Sequence, residues 1–468
     1  MTAVETTSAP EAVVPADGSR YLRGPFAPVR DEVTAFDLEV IEGRIPSELE
    51  GRYLRNGPNP VSDPDPSTYH WFMGSGMVHG IRLRDGRAEW YRNRWVRSPG
   101  VAAELGEPAP ENPWADDQVF SANTNVIGHA GRTLALVEAG SPPIEMSYEL
   151  ETARISDLDG TLPKAFSAHP KRNPLTGELH VATYWWGWGN QLQYLIVGTD
   201  GAVRTAVDVP LPGAPMVHDI AITEHWAILF DLPCTFDLDV AATGSFPYRW
   251  NPEYGARIGL LPIDGSGEAR WFEIEPCYVY HPLNAYEQAD GKVVLDAVRH
   301  PSTMATDVNG PNEGPPTLDR WTLDPTTGRA TETRLDDHSQ EFPRHDERLL
   351  GREHRYGYGA GFEGGNGAIV MGQALKHDLG AGTVSMHDYG PGRTTGEVVF
   401  IPASADAAED DGWLMSLVHD ATTDSSELVI LHSQDFTGGP VARVALPQRV
   451  PLGFHGNWVP DTVTFPEG

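Results

Sequence analysis

The chain has 468 residues, and 40% of them are hydrophobic, which is enough for a substantial buried core. Its 34 basic and 66 acidic residues give a formal net charge of −32. This charge excludes partners that are held by basic surfaces, such as nucleic acids and anionic membranes, but it does not exclude a neutral, apolar ligand.

The N-terminal segment and the two cysteines indicate the cellular compartment of the protein. Residues 1–19, MTAVETTSAPEAVVPADGS, contain no Lys or Arg and no apolar run, so they lack the pattern of a secretory signal. Their composition predicts a disordered tail. Cys234 and Cys277 are too few for a disulfide framework and are typical of a reducing compartment. No apolar run reaches the roughly 18 residues of a spanning helix. We therefore expect a cytoplasmic protein.

From residue 20 onwards, short apolar runs alternate with turns rich in Gly and Pro. Runs of strand length lie at 77–86, 131–140, 224–233, 291–300, 367–376 and 426–434. The segment with some helical character, VAAELGEPAP at 101–110, is interrupted by proline. This pattern predicts an all-β fold in one domain over residues 20–468. The strands are too many for one sandwich, so radial repetition in a propeller is favoured, although no WD or kelch repeat is present.

Four of the 17 histidines share a local setting, since each lies beside an apolar residue at the edge of a strand-like run. They are His169, His218, His281 and His455, and they are 49, 63 and 174 residues apart. With propeller blades of roughly 40–60 residues, the first three fall on successive blades and the last about three blades further on. Inner strands of all blades meet at the axis, so these side chains could converge there. The residues alone leave His79 and His129 as competing candidates.

Longer stretches resemble a known family. The stretches are 24–60 (GPFAPVRDEVTAFDLEVIEGRIPSELEGRYLRNGPNP), 71–80 (WFMGSGMVHG), SAHP, MVHD, YHPLNAYE, 409–420 (EDDGWLMSLVHD) and FHGNW. Together, and in this order, they are similar to the motifs of the carotenoid cleavage oxygenases. The similarity extends over nearly the whole chain after residue 20, and the four histidines stand in its iron-binding motifs.

The resemblance implies a seven-bladed β-propeller with a dome of loops and short helices over one face. It implies one non-haem Fe(II) per chain, with His169, His218, His281 and His455 as its ligands. It also implies cleavage of an alkene C=C bond by O2 into two carbonyl products. Imidazole is a borderline ligand that suits Fe(II), and carboxylates orient such rings through their second nitrogen.

Four further residues occupy family positions around the metal. Glu138, Glu341 and Glu397 match the three glutamates that hold the histidine rings. The apolar run before Glu138 favours a buried role for it, whereas the residues alone favour a solvated carboxylate for Glu341 and Glu397. Thr124 matches a threonine whose methyl group occludes one coordination position. From the sequence, packing on a strand explains this threonine equally well.

Two positions bear on the substrate. Stilbene-cleaving relatives hold a phenol with a lysine just before the first of these glutamates and with a tyrosine upstream. Here Val137 stands at the lysine position, and Trp95 aligns at the tyrosine position. A phenolate without the lysine loses a charge-assisted hydrogen bond of about 1.5–3 kcal/mol, so we favour a carotenoid or apocarotenoid. Trp185, Trp186 and Trp188 are candidates for lining the tunnel.

Three alternatives compete with this interpretation. A stilbene-cleaving enzyme keeps the metal and the reaction. A non-catalytic binding propeller does not need the four histidine motifs and three glutamates. An isomerohydrolase, as in one branch of the family, is disfavoured because the chain lacks long insertions. The partners that we expect are an apolar small molecule and O2, with a weak peripheral membrane contact for substrate uptake and no nucleic acid. We expect a monomer.

Overall fold

The computed structural model describes residues 19–114, 119–307, 309–311, 313–362 and 370–461. The predicted tail lies outside the described residues except for Ser19, which is buried and accepts a hydrogen bond from the Tyr21 backbone N–H. In the described part of the chain the helices are two short α-helices, α1 (Pro99–Leu105) and α2 (Leu238–Ala241), and six 3₁₀ turns. These turns are Arg20–Leu22, Gly24–Phe26, Trp71–Met73, Trp186–Trp188, Glu347–Leu349 and Ser433–Asp435.

The first five strands begin at residue 34. They are β1 (Thr34–Phe36), β2 (Val40–Gly43), β3 (Gly51–Pro58), β4 (Gly76–Arg84) and β5 (Arg87–Trp95). The loop between β4 and β5 consists of Asp85 and Gly86, whose φ angles are 48° and 70°. A two-residue hairpin turn of this kind needs positive φ at both positions, which Asp-Gly tolerates. The predicted strand at 77–86 therefore forms with its turn at the DG pair.

The next four sheets follow one another along the chain. Their strands are β6 (Asn125–His129), β7 (Arg132–Leu136), β8 (Ile144–Met146), β9 (Thr152–Ile155), β10 (Lys171–Arg172), β11 (Leu179–Tyr184), β12 (Gln191–Val197), β13 (Val203–Pro210), β14 (Ala221–Ile222), β15 (Trp226–Asp231), β16 (Cys234–Phe236), β17 (Tyr248–Trp250), β18 (Arg257–Pro262), β19 (Arg270–Glu273), β20 (Pro282–Glu287), β21 (Val293–Arg299), β22 (Thr317–Asp324) and β23 (Arg329–Asp336). Strands β6–β9, β10–β13 and β20–β23 are antiparallel meanders. The remaining sheet has the order β14-β15-β18-β19, and the β16–β17 ribbon is inserted into it.

The last ten strands complete the molecule. They are β24 (Gln340–Arg344), β25 (Tyr356–Phe362), β26 (Met371–Asp378), β27 (Thr383–Asp388), β28 (Arg393–Thr395), β29 (Val399–Pro402), β30 (Gly412–Asp420), β31 (Ser425–His432), β32 (Ala442–Ala445) and β33 (Gly456–Pro460). Strands β24–β27 form one four-stranded unit, and β29–β32 form another. Strand β28 joins the two units by pairing with both β26 and β30.

Both ends of the chain contribute to the closure of this array. Strand β33 adds to the edge of β3, and β2 adds to the edge of β32, so the first and last sheets each contain a strand from the opposite end of the chain. Counting the two halves of the joined sheet separately, and leaving aside β28 and the β16–β17 ribbon, the described strands form seven units of four or five strands. The all-β propeller that we expected is confirmed. The two cysteines are buried free thiols, and no helix among the described residues is long and apolar enough to cross a membrane.

Several histidines away from the axis are buried between the strands, and His180 illustrates their effect on stability. Burial lowers the pKa of His180 to about 4. Below pH 6.5 the histidine is protonated in the unfolded chain, whereas in the folded chain it stays neutral down to about pH 4. The free energy of unfolding therefore falls as the pH decreases through this window. Between pH 6.5 and 4, we expect His180→Gln to reduce the slope of the free energy of unfolding against pH by up to about 1.4 kcal/mol per pH unit. Urea unfolding at several pH values measures this. His225→Gln, at an exposed site, is the matched control, and equal slopes for wild type and His180→Gln would contradict the expectation.

Candidate metal centre

The four motif histidines occupy equivalent places in four sheets. His169 and His218 lie two or three residues before β10 and β14, whereas His281 and His455 directly precede β20 and β33. Each of these strands is at the edge of its sheet. The same position before β6 is held by Thr124, and Glu397 lies just before β29. Edge strands at the centre of a radial array bring their first residues together, which explains how positions so distant in the sequence meet.

The imidazole rings lie close together and are buried. One ligand nitrogen from each ring lies within 4.8 Å of the corresponding atom of every other ring. The ring centroids of His169 are 4.5 Å from those of His218 and of His455. The Nε2 atoms of His218 and His281 are 3.1 Å apart. This group can hold a metal ion, and the two other histidines considered from the sequence, His79 and His129, do not belong to it.

Glu341 and Glu397 orient two of the rings. Nδ1 of His281 lies 2.6 Å from Glu341 Oε2, and Nδ1 of His455 lies 3.0 Å from Glu397 Oε1. Burial alone would raise the pKa of each carboxyl, but the neighbouring donors outweigh it. The pKa of Glu341 is lowered mainly by His281, and that of Glu397 is lowered to about 2, chiefly by Arg344. Both glutamates are thus ionised hydrogen-bond acceptors inside the protein, not solvated carboxylates.

Glu138 faces the third ring. Its Oε2 makes an ion-pair contact of 2.7 Å with Nδ1 of His218, and its Oε1 accepts a hydrogen bond of 3.1 Å from the Tyr184 hydroxyl. Burial lowers the pKa of His218, but the charge of Glu138 more than compensates and the net shift is upward. The glutamate is buried two residues after the end of β7, as its apolar neighbours suggested.

Among the described residues, the carboxylate nearest to the His169 ring is an aspartate, not a glutamate. Its Nδ1 is 3.8 Å from Asp219 Oδ2, which in turn accepts a hydrogen bond of 2.8 Å from Lys171 Nζ. Its Nε2 has no hydrogen-bond partner among the described residues. Burial, followed by the neighbouring histidines, holds the pKa of His169 well below its usual value. A neutral ring with an unpartnered buried nitrogen is suited to metal binding.

The hydrogen-bonding pattern of these rings fits a cation at their centre. Where Nδ1 of a neutral imidazole carries the proton toward a carboxylate, Nε2 presents a lone pair. The Nε2 atoms of His218 and His281 face each other at 3.1 Å, next to the unpartnered Nε2 of His169. Buried ring nitrogens that face one another in this way are suited to binding a common cation. Four neutral nitrogen donors suit a divalent first-row transition metal, Fe(II) included.

A cavity of about 350 Å³ opens onto three of these rings, those of His218, His281 and His455, and its walls are mainly aromatic. The rings of Tyr280 and Phe72 lie 5.1 and 6.4 Å from that of His218, and the ring of Phe342 lies 5.5 Å from that of His281. Trp71 and Phe454 also line the cavity, with their rings 4.5 Å apart. The interior therefore accepts an apolar, extended ligand and carries few groups that would hold water.

The sequence analysis did not identify most of these wall residues, although one signal was present. Tyr280 precedes His281, Phe342 follows Glu341, and Phe454 precedes His455. An aromatic side chain next to three of the site residues is therefore recognisable once those residues are known. The wall also includes Phe246 from the loop between β16 and β17, which no motif indicated.

The remaining predicted positions divide into two groups. Thr124, Val137, Trp185 and Trp186 line the cavity. Trp188 does not line the cavity. Its ring instead contacts a lysine, with Lys164 Nζ 5.2 Å from the ring centroid.

Trp95 also lies away from the cavity. It packs with Val29, Met77 and Val101, and its Nε1 donates a hydrogen bond of 2.8 Å to the Asn59 carbonyl. Its placement gives no support to a role in substrate selection, because this end of β5 points into a separate apolar cluster.

The sequence and the structure were compared with known protein families, relatives and solved structures. Residues 26–460 match the family model described as retinal pigment epithelial membrane protein. A carotenoid cleavage oxygenase of Mycobacterium tuberculosis is 45% identical over 94% of this chain and 98% of the relative. The cobalt-substituted apocarotenoid oxygenase of Synechocystis has a TM-score of 0.84 at 30% identity, covering 92% of this chain and 97% of its own. The lignostilbene dioxygenase of Pseudomonas brassicacearum has a TM-score of 0.85 at 29% identity, covering 97% and 100%. The chain therefore belongs to the carotenoid cleavage oxygenase family, the family of retinal pigment epithelial membrane protein.

Proposed function

We propose that His169, His218, His281 and His455 bind one Fe(II) per chain. The protein then cleaves a C=C double bond of a carotenoid or apocarotenoid with O2 to give two carbonyl products. The observation that carries the proposal is the meeting of four imidazole nitrogens beside an aromatic cavity that three of the rings line. Iron supplies the O2 chemistry when it is bound, and the protein supplies the ligands and a dry, shaped site.

The residues around the rings have distinct roles in this proposal. Glu138, Glu341 and Glu397 orient three rings and offset part of the metal charge. Thr124 lies at the ring cluster, where its backbone carbonyl accepts a hydrogen bond from the His455 N–H. In this place it restricts access to one side of the metal. The aromatic walls exclude water and hold the double bond beside the rings.

The preference for a polyene depends on Val137. This residue lines the cavity directly before Glu138, at the position where stilbene-cleaving relatives have lysine. An apolar side chain there leaves a phenolate without a charged partner, whereas a polyene needs none. The second candidate, stilbene cleavage, is favoured by one observation, the similarity to a lignostilbene dioxygenase over the whole of that chain.

We further propose that the cavity mouth makes the weak membrane contact needed to collect such a substrate. Three lining residues, Met73, Phe120 and Trp186, are 59%, 41% and 39% exposed. Trp186 stacks on Phe236 at 4.7 Å, and the nearby Leu238 on α2 is also exposed. An exposed apolar rim of this kind can rest on lipid without basic residues. We assign the protein to the cytoplasm as a monomer.

Substrate choice is tested with iron-loaded protein and three substrates under O2: β-carotene, an apocarotenal and a hydroxystilbene. We expect aldehydes from a polyene and little turnover of the stilbene. We expect Val137→Lys to raise the stilbene-to-polyene ratio of kcat/KM by about tenfold or more, since it restores a charged hydrogen bond, whereas Val137→Leu serves as the control. Cleavage of the stilbene alone by the wild-type protein would overturn the substrate assignment.

A further inference from the structure

A second cavity, of about 340 Å³, also reaches the candidate metal centre. The rings of His281 and His455 line both this cavity and the aromatic one. The ring of His218 lines only the aromatic cavity, whereas the ring of His169 lines only the second. The four rings therefore lie between two cavities, and an ion held by them can be reached from either.

The second cavity extends along the inner strands of the propeller, and we call it the axial channel. Residues of the edge strands β6, β10, β14, β20, β24 and β33 line it. Because a strand rises about 3.3 Å per residue, β33 carries the wall roughly 15 Å away from His455. At the other end of the channel, Pro460 is exposed and the side chain of Glu347 is 61% exposed. The channel thus leads from the rings to solvent.

The walls of the axial channel carry oxygen ligands from its mouth to the rings. Glu347 lies at the mouth, and the amide of Asn457 lies further in, two residues after His455. Beside the rings, Asp219 Oδ2 is 3.8 Å from His169 Nδ1. Carboxylate and amide oxygens can replace the water molecules of a divalent cation as it loses its hydration shell. The mainly aromatic walls of the other cavity offer few such ligands, so dehydration there is costly.

The charges on the channel walls are balanced. Three cationic and three anionic side chains line it, namely Lys171, Arg172, Arg344, Asp219, Glu347 and Glu397. The two carboxylates beside the rings are paired, since Lys171 Nζ is 2.8 Å from Asp219 and an Arg344 nitrogen is 3.3 Å from Glu397. An unpaired carboxylate in this place would hold a dication short of its ligands, and unpaired cations would repel it. Balanced walls do neither.

We propose that the axial channel is the route by which Fe(II) enters and leaves the ring cluster, separate from the route of the alkene. This inference rests on the proposed function for the identity of the ion. Its consequence is that iron exchanges with solvent while an apolar ligand fills the aromatic cavity.

Selective plugging of each mouth tests the route. The two native cysteines are buried, so thiol reagents label an introduced surface cysteine selectively. Glu347→Cys places a thiol at the mouth of the axial channel, and Met73→Cys places one at the exposed rim of the aromatic cavity. Each iron-loaded variant is treated with a bulky maleimide or with a small methylthiolating reagent. Loss of iron to excess chelator and reloading of the stripped protein are then followed without O2.

A plug changes the barrier to passage and not the free energies of the end states. On Glu347→Cys, the bulky label should therefore slow both iron loss and reloading at least about tenfold relative to the small label, with equal iron content at equilibrium. On Met73→Cys, the two labels should give iron-loss rates within about twofold of each other. There the bulky label should instead slow the binding of an apocarotenal, followed by quenching of the cavity tryptophans.

The outcomes separate the route from the reaction. Equal rates of iron loss for both labels on Glu347→Cys would overturn the route even if an alkene is cleaved, and so would equal slowing by the bulky label in both variants. Slowing in Glu347→Cys alone, in a protein that cleaves no alkene, would support the route and contradict the proposed reaction. A wild-type protein without iron at these rings would contradict both.

Discussion

His281→Ala is expected to purify with almost no iron and to lose alkene cleavage entirely within detection. The substitution removes one of four donors and leaves the buried charge of Glu341 with His300 as its remaining imidazole partner. Changes in the groups that merely orient a ligand typically cost 10–100-fold in metal affinity, and loss of a ligand should cost more. Iron quantification after anaerobic purification, with product analysis, measures the effect.

The control for this variant is a histidine with no part in the site. His225 is exposed, and its Nδ1 contacts Glu287 at 3.0 Å. His225→Ala should keep about one iron per chain and full activity. Iron retained at the wild-type level in His281→Ala would show that the ion is held elsewhere, and the assignment of the four ligands would fail.

Removal of residues 451–468 is expected to destroy both the metal site and the closure of the fold. It takes away His455 and strand β33, which pairs with β3 from Arg55↔Gly456 to Gly51↔Pro460. It also removes Phe454, which forms part of the cavity wall, and the Asn457 side chain, which bonds Asn125 Oδ1 at 2.8 Å. The deletion therefore acts on the core and on the site at the same time. We expect loss of iron and a markedly lower thermal stability.

Deletion of residues 2–18 is the matched control. None of the four histidines and three glutamates lies in this segment, so this shorter chain should bind iron and react as the full chain does. The thermal unfolding temperature and the iron content of both deletion variants are measured and compared with those of the full chain. A C-terminal deletion that still holds iron would contradict the role of His455 and the closure of the first sheet by β33.

Much of the fold was predictable because its signals are local. Period-2 alternation and turn pairs such as Asp85–Gly86 identify hairpins without reference to the rest of the chain. The metal site was predictable in a different manner. The spacing of the four histidines alone left His79 and His129 as candidates, and the resemblance of short motifs singled out the four whose rings lie together.

The substrate cavity was only partly predictable, since its walls come from loops of several sheets. Val137 was recognisable because it adjoins Glu138 in the sequence. The location of Trp95 was not predictable. Its alignment with the tyrosine of stilbene-cleaving relatives does not show whether the end of β5 points to the axis or to the cluster around Met77. His300 carried no signal of its own, and its relation to Glu341 exists only in three dimensions.

The most direct test of this account is an anomalous difference map from crystals of the iron-loaded protein, with data collected on both sides of the iron absorption edge. The account predicts one iron peak per chain at bonding distance from a nitrogen of each of His169, His218, His281 and His455, beside the aromatic cavity. An iron peak at any other place, or a chain with full cleavage activity and no iron between these four rings, would contradict it.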